Sequence, residues 1–301
     1  MLTMKYIYSF ISILILAIIF KNSLAEEDSS EFGVIPGARK TTCPCGHVNK
    51  SPARIVGGQE AGINEFPFIA GIRTQFSPFV FCGGTIISKS HVLTAAHCIE
   101  PRRHEDFAVV LGDHNVYDTS ETNSSRVYNI KTVIEHELYD KKGLTEYDIA
   151  LLTTETEIIT NLHIEPACFP TRKIDLIGQT VKVIGWGADF TNGPYSEILR
   201  KVNLFVVDLK KCDDHYTKID MATPSQICTF KPGADSCQGD SGGPVVWLDP
   251  ETNRYTLIAV VSYGDICGKS PGVNTDVYFH KDWIKKHMEE TMPSSKTCTK
   301  I

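Results

Sequence analysis

Residues Asp235 to Pro244 read Asp-Ser-Cys-Gln-Gly-Asp-Ser-Gly-Gly-Pro. Gly, Pro, Ser and Asp dominate turns, so composition alone would assign this run to a loop. Position by position it offers more. Ser241 carries a hydroxyl that becomes a nucleophile when a base lies within hydrogen-bond reach. Gly239 has no side chain, so its backbone N–H can approach a reacting carbonyl oxygen closely. With the N–H of Ser241 it could form a two-donor oxyanion hole. Asp240 sets a carboxylate beside the nucleophile, and a buried carboxylate needs a cationic partner.

A base for Ser241 must take and return a proton near neutral pH, which is the work of histidine. His97 lies in Leu93-Thr-Ala-Ala-His-Cys98, and Asp148 heads Asp-Ile-Ala-Leu-Leu152. Alone, a histidine beside a cysteine is more often structural, and an aspartate opening an apolar strand is usually a cap or a turn residue. Their joint occurrence in the order His, Asp, Ser defeats those bland readings. The three segments resemble the histidine, aspartate and serine segments of the chymotrypsin/trypsin family, in its secreted zymogen form known from arthropod venom and haemolymph. The resemblance spans essentially all of 55–290. It implies Ser241 as nucleophile, His97 as general base then acid, and Asp148 as the group that orients the imidazole and stabilises its charged form; these roles are the family's own and are carried over. A catalytically silent binding protein on the same scaffold is the competing class, and the intact trio with Gly239 argues against it.

The elements that must hold these residues are short. Apolar, β-branched or aromatic runs at 66–72, 84–87, 108–111, 181–184, 204–207 and 257–262 alternate with Gly, Pro, Asn and Asp clusters, the pattern of an all-β barrel or sandwich. Only 281–288 has the rhythm of a helix. The resemblance supplies the architecture that pattern cannot: two six-stranded antiparallel β-barrels, a C-terminal helix, and an active site in the cleft between the barrels.

Substrate preference follows from the same resemblance. Asp235 falls at the floor of the specificity pocket, where a carboxylate would pair with Arg or Lys. Gly264 and Gly272 fall on its walls, and Ser262-Tyr263-Gly264 would offer an edge to an extended substrate backbone. Tyr263 stands where the family commonly has Trp, Asn274 where Tyr is common, and the 267–271 loop is short. These departures bear on finer subsites and leave the basic preference intact.

The chain has 301 residues, 42% hydrophobic and 22% charged, an ordinary globular composition. A net charge of −6 gives no electrostatic reason to expect nucleic acid as a partner. Lys5, the apolar run 6–20 and Ser23-Leu-Ala25 form a secretory signal, with Lys21 and Asn22 ending the run too early for a membrane span. Secretion is therefore expected, with removal of 1–25. Residues 26–54 are polar and aperiodic and read as a propeptide, leaving 55–301 as the catalytic domain. Arg54-Ile55-Val-Gly-Gly58 resembles the activation junction of trypsin-like zymogens; cleavage after Arg54 would free an Ile55 amino group to insert beside Asp240.

Ten cysteines in a secreted chain point to disulfides. The family resemblance pairs Cys82 with Cys98, Cys212 with Cys228, and Cys237 with Cys267. It has Cys168 hold Cys43 or Cys45, and leaves the other of those two with Cys298. Leu111-Gly-Asp113-His-Asn115 resembles the start of a calcium loop in some relatives, but the acidic residues that follow do not align, so no metal or cofactor is expected. Asn49-Lys-Ser and Asn123-Ser-Ser are glycan acceptor sequons, with Asn123 the better placed. The expected partners are protein or peptide substrates with Arg or Lys before the scissile bond, an activating protease (or a second copy of the enzyme), and protein inhibitors, with no membrane contact. A retained light segment leans toward a selective rather than a digestive role.

Overall fold

The computed structural model describes residues 33–49, 59–102, 106–118, 121–139, 146–217 and 219–301. The signal stretch 1–25, Arg54 and Ile55 lie outside the described residues.

Six strands close the first barrel: β2 (Ile69–Thr74), β3 (Cys82–Ile86), β4 (His91–Thr94), β5 (Phe107–Leu111), β6 (Arg126–Glu135) and β7 (Ala150–Thr154), in the order β2-β3-β4-β7-β6-β5. The second contains β8 (Thr180–Gly185), β9 (Arg200–Val207), β10 (Gln226–Phe230), β11 (Pro244–Asp249), β12 (Arg254–Tyr263) and β13 (Gly272–Asp276). It runs β9-β10-β13-β12-β11-β8 and closes through β8–β9, with the short β1 (Gln59–Glu60) added along β9. The two-barrel expectation holds. Closure removes the exposed strand edges that an open sheet would have to protect.

Strands β3, β4, β5 and β7 are buried at every residue, because their inner faces fill the barrel and their outer faces are covered. Phe68, Ile72, Ile86, Leu93, Leu111 and Leu151 make the first core; Val181, Val183, Leu204, Val245 and Ile258 make the second. β9 alternates instead, with Leu204 and Val206 inward and Asn203 and Phe205 outward. The run at 66–72 becomes strand only from Ile69, since the N–H of Ile69 turns back to the carbonyl of Phe66. Between β4 and β5 comes a four-residue helix α1 (Ala96–Ile99); α2 (Leu209–Asp213) follows β9, capped by the Asp208 side chain. The terminal helix α3 (Lys281–Thr291) packs Ile284, His287 and Met288 toward the first barrel.

Residues 33–49 form neither helix nor long strand, yet they are docked. Gly46 exchanges backbone bonds with Tyr255 and Pro166, Cys45 is disulfide-bonded to Cys168, and Cys43 to Cys298. Gly46 has φ +62°, and a Cβ there would collide with the Tyr255 carbonyl, so the close approach requires glycine. Lys300 ties the C-terminus down through Asp249 and Glu251, at 2.6 and 3.0 Å.

His280 precedes α3 and is buried among His136, Tyr147 and Phe279, with ring centroids at 5.1, 5.5 and 4.9 Å. Its Nε2 has no hydrogen-bond partner among the described residues, and burial, reinforced by His136, lowers its pKa to about 3. The unfolded chain would bind a proton near the ordinary 6.5. Stability from this residue is therefore complete above about 6.5 and is lost progressively as pH falls toward 3. We expect His280→Phe to hold or raise stability by ~1 kcal/mol at pH 7, since it removes an unpaired buried nitrogen. It should also flatten the fall in Tm between pH 6.5 and 4.5 measured by calorimetry. An undiminished slope would show that His280 does not carry this linkage.

Candidate active site

The site is built from loops at the ends of strands from both barrels. His97 stands in α1 directly after β4, and the Cys82–Cys98 disulfide ties that turn to β3. Its backbone N–H donates to Asp148 Oδ1 at 2.9 Å, and its Nδ1 lies 2.7 Å from Asp148 Oδ2. A carboxylate partner requires the proton on Nδ1, which leaves Nε2 with its lone pair. Burial works against the charged imidazolium, but the Asp148 charge and hydrogen bond outweigh it, so the His97 pKa is raised.

Asp148 is 1% exposed and sits just before β7. Besides His97 it receives the Ser262 hydroxyl on Oδ2 at 2.5 Å, and its backbone carbonyl accepts from Thr275 Oγ1 at 2.9 Å. Ser262 reaches inward because the β12–β13 register shifts between Val261 and Tyr263, and such a bulge re-aims a side chain. The residue before Asp148, Tyr147, is held at φ +57°.

Ser241 follows a tight turn in which Asp240 N–H bonds to Cys237 O and Gly243 N–H to Asp240 O. Its own carbonyl accepts from Gly83 N at 2.7 Å, so the first barrel braces the serine loop of the second. Gly239 adopts φ +99°, and a Cβ at Gly242 would collide with Thr94 Oγ1. His97, Asp148, Ser241, Asp235, Ser262, Tyr263, Gly264 and Gly272 all line one cleft of about 270 Å³. The structure thus brings together residues scattered over the sequence from position 97 to 272.

Asp235 accepts from the backbone N–H groups of Ser236 (2.9 Å) and Gly268 (3.2 Å). Burial pushes its carboxyl up to about 6, opposed by those donors and reinforced by Asp240. Gly264 and Gly272 face each other across this slot: a Cβ on Gly264 would lie 4.0 Å from Gly272 Cα. One on Gly272 would lie 3.4 Å from Asp235 Oδ1, so side chains here would close the approach to the carboxylate. The Cys237–Cys267 disulfide holds the two sides together. Behind the wall, Asn274 Nδ2 donates to Thr229 Oγ1 at 3.0 Å; Tyr216 donates to Pro271 O at 2.6 Å and packs edge-on against Tyr263.

Asp240 points away from Ser241. Its carboxylate accepts from Gly187 N and Cys237 N, each at 2.9 Å, on the wall of a second cleft of about 100 Å³. Burial pushes it up to about 6, and the neighbouring Arg200, which pairs with Asp189 at 2.6 Å, pulls it back. A Cβ at either Gly185 or Gly187 would collide with this carboxylate.

Cys212 and Cys228 are bonded beside α2. Cys82, His97 and Cys98 cluster closely, but the two sulfurs are in a disulfide and offer no thiolate to a metal. In the 111–115 loop Asp113 accepts from His114 N and Glu121 accepts from Asn115 N, so both carboxylates face backbone donors. Asn123 is exposed, whereas Asn49 donates from Nδ2 to the carbonyls of Asn64 and Leu162, both at 2.7 Å. Thr275, Gly185 and Gly187 do not stand out in the sequence, although the Gly-Trp-Gly run at 185–187 is a local signal for the two glycines.

A protein-family model described as Trypsin matches residues 55–284. The chain is 43% identical over 249 residues to venom serine protease 34 of Apis mellifera, covering 81% of this chain and 60% of that protein. It is 37% identical to a venom serine protease of Polistes dominula (82% of this chain, 89% of that one). It is 35% identical to the proclotting enzyme of Tachypleus tridentatus (81% and 68%).

The electrostatics of His97 can be tested apart from turnover. Asp148→Asn leaves the ring buried but removes the charge that offsets burial. We expect the His97 pKa, followed by NMR of the ring carbons, to fall below the ordinary 6.5. A value that stays raised would mean that Asp148 is not the source of the shift.

Proposed function

The chain belongs to the trypsin family and is a serine endopeptidase; from that premise we propose that it is a secreted zymogen that, once cleaved after Arg54, hydrolyses peptide bonds following Arg or Lys. The observation that carries the specificity is Asp235 at the end of a slot walled by Gly264 and Gly272, in the same cleft as His97 and Ser241.

The substrate's basic side chain enters the slot and meets the Asp235 carboxylate, with Arg able to engage it bidentately. His97 Nε2, its lone pair left free by the Nδ1–Asp148 bond, takes the Ser241 proton as Oγ attacks the carbonyl carbon. The tetrahedral oxyanion is received by the N–H groups of Gly239 and Ser241, each worth ~3–4 kcal/mol to the transition state. His97 then protonates the departing amine, leaving an acyl-enzyme ester. Water, deprotonated by His97, hydrolyses that ester and restores Ser241. The Asp148 carboxylate stabilises the imidazolium.

For activation, the reading is that the new Ile55 amino group enters the cleft lined by Gly185, Gly187 and Asp240 and forms an ion pair with the Asp240 carboxylate. Two carboxylates with raised pKa values, Asp235 and Asp240, are suited to receive cations, one from the substrate and one from the chain itself. Residues 1–25 are assigned to a signal, 26–54 to a light segment, and 55–301 to the catalytic domain. The activator is another protease or a second copy of the enzyme, and protein inhibitors are the expected regulators.

Asp235→Ser should lower the ratio of kcat/KM for Arg over Phe substrates by ~10²–10³, the cost of leaving a buried cation without its partner. An unchanged ratio would remove Asp235 from the pocket. No turnover of an Arg ester by the cleaved wild type would favour a silent binding protein.

Mass spectrometry tests the light segment and the glycan together. After cleavage the segment should stay attached until both Cys43–Cys298 and Cys45–Cys168 are reduced. A glycan should sit at Asn123 and not at Asn49, whose amide holds two carbonyls. Release with one bridge intact, or a glycosylated Asn49 in the folded protein, would contradict these assignments.

A further inference from the structure

Glu65 and Lys201 form an ion pair nearly shut off from water, with side chains 11% and 13% exposed. Lys201 Nζ lies 2.5 and 2.7 Å from the two carboxylate oxygens and 5.7 Å from the centroid of the Phe66 ring. Glu65 Oε2 also accepts from Gly62 N–H at 2.6 Å, and the Glu65 backbone carbonyl accepts from Asn49 N–H at 3.0 Å. Lys201 pairs with Gln59 in the β1–β9 ladder. Asn49 and Gln59, the nearest described residues on either side of the Arg54 junction, are therefore both held at this pair. A buried ion pair is weak evidence for stability, and its best-attested use is to fix register.

Strand β1 needs such a device. Its two residues, Gln59 and Glu60, are both exposed, so no buried face specifies which β9 residues they meet. Ladder hydrogen bonds repeat along a strand and can be remade after a slip, whereas the Lys201–Glu65 contact cannot. The other side-chain tie, Glu60 to His114 Nε2 at 3.3 Å, uses a half-exposed carboxylate, where such pairs are weak. Ile55 stands four residues before Gln59, a reach of at most ~14 Å. Even a one-residue slip of β1 moves the base of that arm by ~3.3 Å, more than a hydrogen bond can stretch. Lys201 also lines the cleft that holds Asp240, with its ammonium spent on Glu65 rather than on that carboxylate.

We propose that the Glu65–Lys201 pair positions the chain for activation: it fixes the register of β1 on β9, and with it the point at which the freed Ile55 amino group meets Asp240. Both members are positioning residues, acting through the backbone and touching neither substrate nor reacting atoms. The pair is formed in the intact chain, so cleavage releases an arm whose far end is already anchored. This inference rests on the activation reading above, in which Ile55 pairs with Asp240.

The test uses the cleaved enzyme and follows the amino group itself. Cyanate reacts with an uncharged amine: the nitrogen bonds to the cyanate carbon, the amine's proton passes to the cyanate nitrogen, and a urea forms. An ammonium held at a buried carboxylate is protected. Peptide mass spectrometry reads carbamoylation of Ile55 against time, and kcat/KM on an Arg ester is followed into alkaline solution. Insertion holds a proton, so it is lost as pH rises, and a weaker site loses it earlier. We expect Lys201→Met and Glu65→Gln each to speed carbamoylation on the order of tenfold and to lower the alkaline midpoint by about one pH unit, the same factor. Lys201→Arg, which keeps the charge, should leave both readings near wild type. A pair that only stabilised the fold would lower Tm and move neither reading. Carbamoylation and midpoint unchanged in both Lys201→Met and Glu65→Gln would overturn the proposal. Wild-type Ile55 reacting as fast in the cleaved enzyme as in the denatured chain would overturn the activation reading instead.

Discussion

The carboxylate of Asp148 is the point on which the two barrels agree. Its donors come from both sides: the His97 backbone and ring from the first barrel, and the Ser262 hydroxyl from the second. Its backbone carbonyl is bound by Thr275 of β13, again from the second barrel. A buried charge is tolerated only when its hydrogen-bonding capacity is filled, and here the filling requires the barrels to meet in one relative placement. The same contact that neutralises the cost of burial therefore sets the distance between the proposed base and the strand edge beside it. Removing any one donor would disturb both barrel packing and the state of the imidazole.

The serine loop obeys a second constraint of the same kind. Asp240 turns its carboxylate onto the N–H groups of Gly187 and Cys237, which fixes the turn that presents Ser241 and Gly239. Neither Gly185 nor Gly187 can carry a side chain without striking that carboxylate, so the end of β8 is shaped by a residue more than fifty positions later. Burial raises its pKa to about 6, against the pull of those backbone donors. An ammonium group arriving at this carboxylate would gain more than one arriving at an exposed aspartate, because the ion pair would form away from water. On the activation proposed above, that difference would let a cleavage far along the chain be felt at the serine loop.

Much of this was legible in the residues, and what was not has physical reasons. The segments around His97, Asp148 and Ser241 are readable through their joint occurrence in one order and the family resemblance it carries, since each alone would pass as structural. Strands such as β2 and β12 announce themselves through apolar runs. β13 does not: Gly-Val-Asn-Thr-Asp reads as a turn, yet every residue is buried, its polar side chains spent on Thr229, Asp148 and the chain near α3. Nor does the stretch 33–49, whose order comes from two disulfides and backbone exchange with Tyr255 rather than from periodicity. The Ser262 contact to Asp148 was hidden for a different reason, since a bulge breaks the alternation that sequence reading relies on.

The division of the site between barrels also explains where variation can be absorbed. His97 and Ser241 are gripped by disulfides, glycines and buried carboxylates, so a change at these positions propagates into the fold. The loops carrying Phe79 and Tyr195 touch that framework through backbone bonds and one ring stack, and the two rings stay partly exposed, at 43% and 38%. A rigid catalytic frame with adjustable rims lets one chemistry serve different protein substrates.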